Sequence, residues 1–487
     1  MQTRRDLYQA YKLMTQRLGT ALLQGEPDLP ESPMRRHNVA MFGSVLVAVL
    51  VMAAFGVIGL IWPGGATALT DPGTVLVEEE TGATFVYSAS QAKMIPVVNM
   101  ASARLLVGQQ DVKVRTVSAA SLSRYPRGTL VGIAGVPESL PAHDHLVRSP
   151  WSACVIEATD TNGERRPYTS LVGGFGVGGS PIGQDKAMLV QENGQAWLLW
   201  SNQRMRISAE GVRALTEEQP RQVPLAWLNA LPTGPDFRSP SVPGLGRAAS
   251  GPDGGRSVVG RVFTVPPVAG GTAKWYVLLS DGLAPLTPAQ AALLLQNPAS
   301  KKAYGQAPVK AIELDPATAT GARRSATHMG GGDLPQAMPR IVTPPPTDPV
   351  CAVYADTERG SAKALLTIGS TVAVPPPPKG WFNQDVVDQV VLPYGKGALI
   401  GLLPGNGRLD ALQSLYLVGD QGRRHAVTST DALTSLGYTM EDVAPLPAHL
   451  VHLIPEGPAL DPEAARKPAQ ASPTGTVQPQ QGSAPTS

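Results

Sequence analysis

Aromatic side chains make up only 5% of the 487 residues, and the formal net charge is just +2. A chain this poor in rings and net positive charge has neither a base-stacking platform nor a global basic field, so no nucleic-acid partner is expected. Cysteine is nearly absent. Cys154 and Cys351 are the only two, without the C-x-x-C spacing of a metal site. An even pair suits one disulfide in an oxidising compartment. Closing a loop of roughly 198 residues would stabilise by roughly 5 kcal/mol on the chain-entropy model, and two buried free thiols are the alternative.

Catalytic signatures are lacking as well. No G-x-x-x-x-G-K-[ST] loop occurs, and Gly395-Lys396-Gly397 has neither the loop length nor the hydroxyl needed to hold phosphate and Mg²⁺. Gly174, Gly176 and Gly179 fit G-x-G-x-x-G, but Pro181 follows at once and breaks the expected helix, so a turn-rich strand edge is the better reading. No G-x-S-x-G is found. His143-Asp144-His145, and His449 with His452 near Glu456, lie beside prolines and read as surface or packing residues. No catalytic residue, cofactor or metal is expected.

One long hydrophobic run is present, uncharged from Val39 to Trp62. About 20 helical residues span a bilayer core, whereas a signal peptide's apolar region is about 7 to 15 residues and lies nearer the N-terminus. Ala66-Thr67-Ala68 has the form of a cleavage site, but the block is too long and too late, so it reads as an anchor. Arg4, Arg5, Lys12, Arg17, Arg35 and Arg36 precede it, and no Lys or Arg follows until Lys93. The positive-inside rule therefore keeps the N-terminus cytoplasmic and sends the bulk of a single-pass chain across the plasma membrane.

In the arm before the anchor, Leu7, Tyr11, Met14, Leu18 and Leu22 recur every three or four residues, and Thr3 with Asp6 resembles a capping box. This predicts an amphipathic helix too short to bury its own apolar face. It should dock on a partner protein or lie on membrane lipid, the latter assisted by its basic residues.

Beyond the anchor, Gly (51) and Pro (47) are abundant, as in many short elements joined by turns. An internal repeat stands out: "AWLLWSNQRMRISAEGVRAL" from Ala196, "KWYVLLSDGLAPLTPAQAALLL" from Lys274 and "LYLVGDQGRRHAVTSTDALTSLGY" from Leu415. Each reads as a strand, a turn, a second strand and a capped helix, with caps at Ser208, Thr287 and Thr430. "TFVYSASQAKMIPVVNMASARLLVG" from Thr84 is a divergent copy with Asn99 at the cap. Closing segments follow: "ALPTGPDF" (230–237), "LIPEGPAL" (453–460), and, more loosely, "GVPESL" (135–140) and "ELDPAT" (313–318).

The expected organisation is an arm (1–38), a transmembrane helix (39–62) and repeat module 1 (75–140), then the first half of a split central domain (141–185) and module 2 (186–237). A linker (238–257), module 3 (258–319), a linker with the second half of the central domain (320–412), module 4 (413–460) and a disordered tail (461–487) complete it. The fold class is α+β: a cytoplasmic amphipathic helix, one transmembrane helix, and four small βα modules extended around a β-rich central domain. The cysteines fall one in each half of the central domain, so the disulfide would join the halves.

This order of features, with "WSAC" around the first cysteine and "LPYGKGALIG" in the second half of the central domain, resembles the EccB family, the membrane-anchored core component of the type VII (ESX) secretion system of actinobacteria. The resemblance covers nearly the whole chain. It implies a homo-oligomeric subunit assembled with the EccC motor ATPase, EccD, EccE and the mycosin protease in an inner-membrane machine that exports WXG100-type substrates. Members are also described as ATPases, which in this sequence rests on the family description alone. A membrane-tethered protein whose repeats grip envelope polysaccharide is the alternative from a different class.

Overall fold

The computed structural model describes residues 3–24, 33–61, 69–159, 163, 165–267, 271–329, 334–369, 385–405 and 407–469. Two helices open it, Arg4–Gln24 and Pro33–Ile61. Pro33 begins the second helix, where its missing N–H is no loss. Trp62, the expected last residue of the span, lies outside the described residues.

Four small sheets follow, each built on four strands in one order: third, second, first, fourth; in the second sheet Arg340–Ile341 adds a fifth strand, parallel to the first at Lys186 and Ala187. The first sheet uses Thr74–Glu78, Thr84–Ser88, Lys93–Val97 and Lys113–Val117. The second uses Lys186–Glu192, Gln195–Trp200, Gln203–Arg206 and Arg221–Gln222. In the third these are Val262–Val265, Lys274–Leu279, Gly282–Leu286 and Ile312–Glu313, and in the fourth Ala398–Leu403, Gln413–Val418, Arg424–Val427 and Ala444–Pro447. The first three strands form an antiparallel meander, and the fourth returns parallel to the first.

Local sequence explains this plan. In the second sheet both hairpins turn on two residues at positive φ, Asn193-Gly194 and Ser201-Asn202, a geometry whose twist matches the strands it joins. A parallel return must cross one face of the sheet. The helices Met100–Val107, Ala209–Leu215, Pro288–Gln296 and Thr430–Ser435 make that crossing. Asn99, Ser208 and Thr287 cap theirs by accepting from the backbone N–H of Ser102, Gly211 and Gln290 at 2.9, 3.3 and 3.1 Å. In the fourth, the cap is Ser429 rather than the expected Thr430. Ser429 is extended (φ −155°) and its Oγ accepts from Ala432 N at 3.0 Å, so Thr430 is already the first helical residue.

Two of the expected closing segments are also corrected. The backbone of the third strand exchanges hydrogen bonds with Pro232 and Gly234 in the second unit, and with Pro455 and Gly457 in the fourth. In the first unit the same bonds go to Pro126 and Gly128, and in the third to Arg323 and Ser325. Residues 135–140 instead lie at the junction of the first and fourth units, where Val136 is buried. Residues 313–318 run from the fourth strand into the helix Pro316–Gly321, capped by Asp315.

The central sheet has six strands in the order Gln389–Val391, Arg165–Gly173, Trp151–Thr159, Val350–Tyr354, Leu365–Ile368, Ser180–Pro181, so it draws strands from both 141–185 and 320–412. Four boundaries move. Arg340–Ile341, expected in the linker and second central half, pairs with the first strand of the second sheet. Ala398–Leu403 is the first strand of the fourth sheet and not central, because it pairs with Gln413–Val418. The 238–257 linker contains a hairpin, Ala248–Ser250 against Arg256–Val258. The tail is ordered at its start: Asp461 caps the helix Pro462–Ala465, Ala465 is buried, and Gly132 N and Ala469 N donate to Lys467 O and Leu130 O at 3.2 and 3.0 Å. Apolar packing and an antiparallel bridge to the first unit hold this segment, whose composition had suggested disorder. Residues 470–487 of the expected tail lie outside the described residues.

Shared cores set the spatial order. One face of the central sheet, with Trp151, Ala153, Leu171 and Tyr354, packs against Met188, Leu199 and Trp227 of the second unit and Ile400, Leu450 and Ile454 of the fourth. Ala101 and Leu105 of the first unit join Leu399, Leu417 and Leu433 of the fourth, while Leu293 of the third joins Leu189, Leu198 and Met205 of the second. The resulting series is first, fourth, central, second, third.

Candidate membrane-anchoring and docking surfaces

The window His37–Ile58 is 22 residues long and entirely unburied, and is the single stretch among the described residues long and apolar enough to cross a membrane. At 1.5 Å per residue it reaches about 33 Å, the thickness of a bilayer core. Arg35 and Arg36 fall in the first turn of the same helix.

On the arm helix, Leu7, Tyr11, Met14, Leu18 and Leu22 are 59 to 84% exposed. At about 100° per residue they fall within a stripe about 80° wide. Tyr8, also exposed, flanks the stripe and was not singled out from the sequence; Leu13 lies across the helix from it. Asp6 accepts from Thr3 N at 3.1 Å and Thr3 Oγ at 2.6 Å, and these bonds hold its carboxyl below the usual range. Arg4, Arg5, Lys12 and Arg17 ride on the same helix. These apolar side chains stand in a row that the other described residues leave uncovered, the kind of surface that a partner or lipid can cover.

Cys154 and Cys351 sit directly opposite each other on neighbouring central strands, Cα to Cα 4.1 Å, and are bonded to one another. Their side chains occupy the face of the central sheet away from the repeat units, with Tyr168, Val172 and Val177.

On the other face a polar junction lies between three regions of the molecule. Tyr354 of the central sheet donates to Ala230 O of the second unit and meets Nε2 of His449, in the fourth unit, at 2.9 Å. Burial raises the Tyr354 phenol above its ordinary range, and burial, aided by the Arg204 charge, pulls His449 down to about 4. His449 is therefore neutral at physiological pH and is a packing group. His452 approaches Arg424 at 3.4 Å, and Glu456 pairs with Arg424 at 3.3 Å. His143 bonds Asp442 at 2.9 Å. No cluster of metal-ligating side chains occurs among the described residues.

The glycine segments have structural tasks. Gly174, Gly176 and Gly179 lead into the strand Ser180–Pro181. A Cβ on Gly179 would sit 3.0 Å from Ile368 O, and one on Gly397 would sit 2.8 Å from Pro141 and 2.9 Å from Val418 O. Gly395 supplies a positive φ in the turn closed by Lys396 N to Pro393 O at 3.0 Å.

Sequence reasoning missed one feature common to all four units. An aromatic ring on the second strand is covered by an arginine: Phe85 by Arg127, Trp197 by Arg204, Tyr276 by Arg324 and Tyr416 by Arg424, at 4.7 to 5.4 Å. Such stacking adds about 0.5–1 kcal/mol at exposed sites. The arginine comes from the third strand in the second and fourth units, and from the closing segment in the first and third. Only pairing between strand and closing segment makes the two positions equivalent.

The family model for the type VII secretion system ESX-1, transport TM domain B (EccB), matches residues 1–473. The chain is 25% identical over 484 residues to the ESX-3 secretion system ATPase EccB3 of Mycobacterium tuberculosis, an alignment covering 92% of this chain and 86% of that protein. To the ESX-5 secretion system ATPase EccB5 of the same organism it is 26% identical over 495 residues, covering 92% and 90%. Among solved structures, it resembles a chain of an intact ESX-5 inner membrane complex with a TM-score of 0.64 at 24% identity, covering 97% of this chain and 96% of that one. It also resembles the EccB3 dimer from the ESX-3 core complex, with a TM-score of 0.59 at 24% identity over 80% and 99%. At such identities the structural likeness establishes a shared fold.

Proposed function

Because the chain belongs to the EccB family of the type VII secretion system, we propose that it is a structural subunit of that system's inner-membrane complex. The match across residues 1–473 carries this reading, because it takes in the arm, the spanning helix and the repeat units together. The arm would dock on membrane partners of the EccC, EccD and EccE type, the span would anchor the chain with its N-terminus in the cytoplasm, and the repeat units would associate with other copies and the mycosin protease outside. The six basic residues before the span, against none until Lys93, support that orientation. The relative solved as a dimer supports self-association.

We read the four sheets as copies of one unit, since strand order, crossover helix and arginine–aromatic pair recur in each. Small units that bury modest cores and lean on their neighbours make an extended scaffold. Although the relatives carry the word ATPase in their names, the glycine segments most like phosphate loops are occupied with turns and close packing. A scaffold accounts for them without nucleotide chemistry.

The test is pull-down of tagged full-length protein from membranes in mild detergent, with native sizing. Leu18→Glu places a charge in the exposed stripe and should abolish co-purification of the membrane partners while the exported units keep their melting behaviour. Undiminished assembly of this variant would overturn the docking role of the arm.

A further inference from the structure

Charge is unevenly distributed along the chain. Between residues 238 and 329 there are 10 Lys and Arg but 4 Asp and Glu, although the whole chain carries only +2. The remainder is therefore net acidic, and the third unit with its preceding hairpin is the basic outlier.

Five of these cations converge. Gly246 lies so close to Lys302 that a Cβ would be 3.1 Å from the lysine's own Cβ, which sets Arg247 beside Lys301 and Lys302. Arg261 Nε donates to Ala303 O at 3.1 Å, on the same short helix. The parallel register of Phe263 with Ile312 brings Lys310 alongside Arg261. Four of the five are exposed and Arg261 is half-buried. None is in an ion pair among the described residues.

Beside this rim a groove of about 770 Å³ runs between the second and third units. Arg238, Ser239, Ser241 and Asn297 give it polar walls, Pro240 and Leu245 apolar ones, and Asp236 is its acidic residue. The wall residue Ser300 immediately precedes Lys301. In the series of packed units the third stands farthest from the first, which follows the anchor.

We propose that this groove and its rim bind an anionic envelope polymer of polyol units joined by phosphodiester groups. Like charges gathered without neutralising acids repel one another, and a flexible polyanion relieves that repulsion by releasing its own counterions. Hydroxyl, amide and apolar walls suit a hydroxylated polyol backbone better than lipid tails. An envelope source follows from the exported placement proposed above, whereas binding in solution does not depend on it.

The experiment measures binding of full-length protein in mild detergent to fluorescent poly(glycerol phosphate), with dextran, poly-glutamate and phosphatidylglycerol vesicles as comparisons. Poly(glycerol phosphate) should bind best, dextran not at all, and affinity should fall steeply with salt. The triple change Arg247→Gln, Lys301→Gln, Lys302→Gln should weaken binding at least about 10-fold and flatten the salt dependence. Ser241→Trp, which fills the groove without changing charge, should weaken it separately. Melting curves confirm that each variant is folded, and either effect alone in a folded protein supports its half of the site. Unaltered affinity in both variants, equal binding of poly-glutamate, or binding to vesicles only would overturn the proposal.

Discussion

The second and fourth units differ instructively from the first and third. The inner pair share the face of the central sheet and bring closing segments of equal length to it, Pro224 to Pro235 and Pro447 to Pro458, each with a Pro-x-Gly-Pro ending and the same two backbone hydrogen bonds to an arginine of the third strand. The outer pair each lean on one inner unit and close with Pro126-Arg127-Gly128 or Arg323-Arg324-Ser325. Packing against a common sheet holds the inner closures to one pattern. Where only strand pairing constrains the closure, the letters drift and the arginine changes sides, while its contact with the ring persists. Geometry, more than sequence, is what the four units share.

The largest effect expected from this contrast is in the inner units. Trp227 is fully buried, and its Nε1 donates to Ala153 O of the central sheet at 3.1 Å. Trp227→Ala should destabilise by about 3–5 kcal/mol and loosen the central and second units together in denaturant melts. A loss confined to the second unit would break the idea that the inner units and central sheet form one core.

Acid should act on the same core. His449 is held near 4, against an ordinary value of about 6.5, so the unfolded chain takes up its proton first as pH falls. Its contribution is complete above pH 6.5 and drains away towards pH 4, by up to roughly 3 kcal/mol. His425, buried in the fourth unit and also lowered by burial, adds in the same direction. Thermal melts across this interval should lose much of their slope in His449→Gln, and an unchanged slope would remove His449 from the account.

A third test addresses an outer unit. Ending the chain after Leu460 removes the helix Pro462–Ala465 and the bridge to Val131. Hydrogen exchange should then rise across the first unit and leave the second unit untouched. The smallest effect belongs to the arginine. Arg127→Met should cost about 0.5–1 kcal/mol in denaturant melts, by loss of its stacking on Phe85. An unchanged midpoint would remove the stacked arginine from the account of this unit's stability.

Much of this architecture was legible in advance where local physics decides. Three helix caps sit at the residue read from sequence, because Asn99, Ser208 and Thr287 need only their own backbone to act. The fourth cap slipped by one residue, since Ser429 and Thr430 are chemically interchangeable there. Ala398–Leu403 was assigned to the wrong sheet because a buried apolar run carries no label naming its partner. Of the polar junction, His449 read only as a surface or packing histidine, and Tyr354 gave no signal, being 95 residues away from it.

By itself the sequence determined the long apolar helix, the arm's apolar stripe, the α+β character and the capped helices after three of the hairpins, because each depends on residues within a few turns of one another. Only the tertiary structure decided which strands share a sheet, which closing segments are equivalent, that the tail's first residues clasp the first unit, and that scattered cations gather beside one groove. Those outcomes depend on contacts between residues distant in the chain, where pairing and burial choose among partners that composition leaves equal.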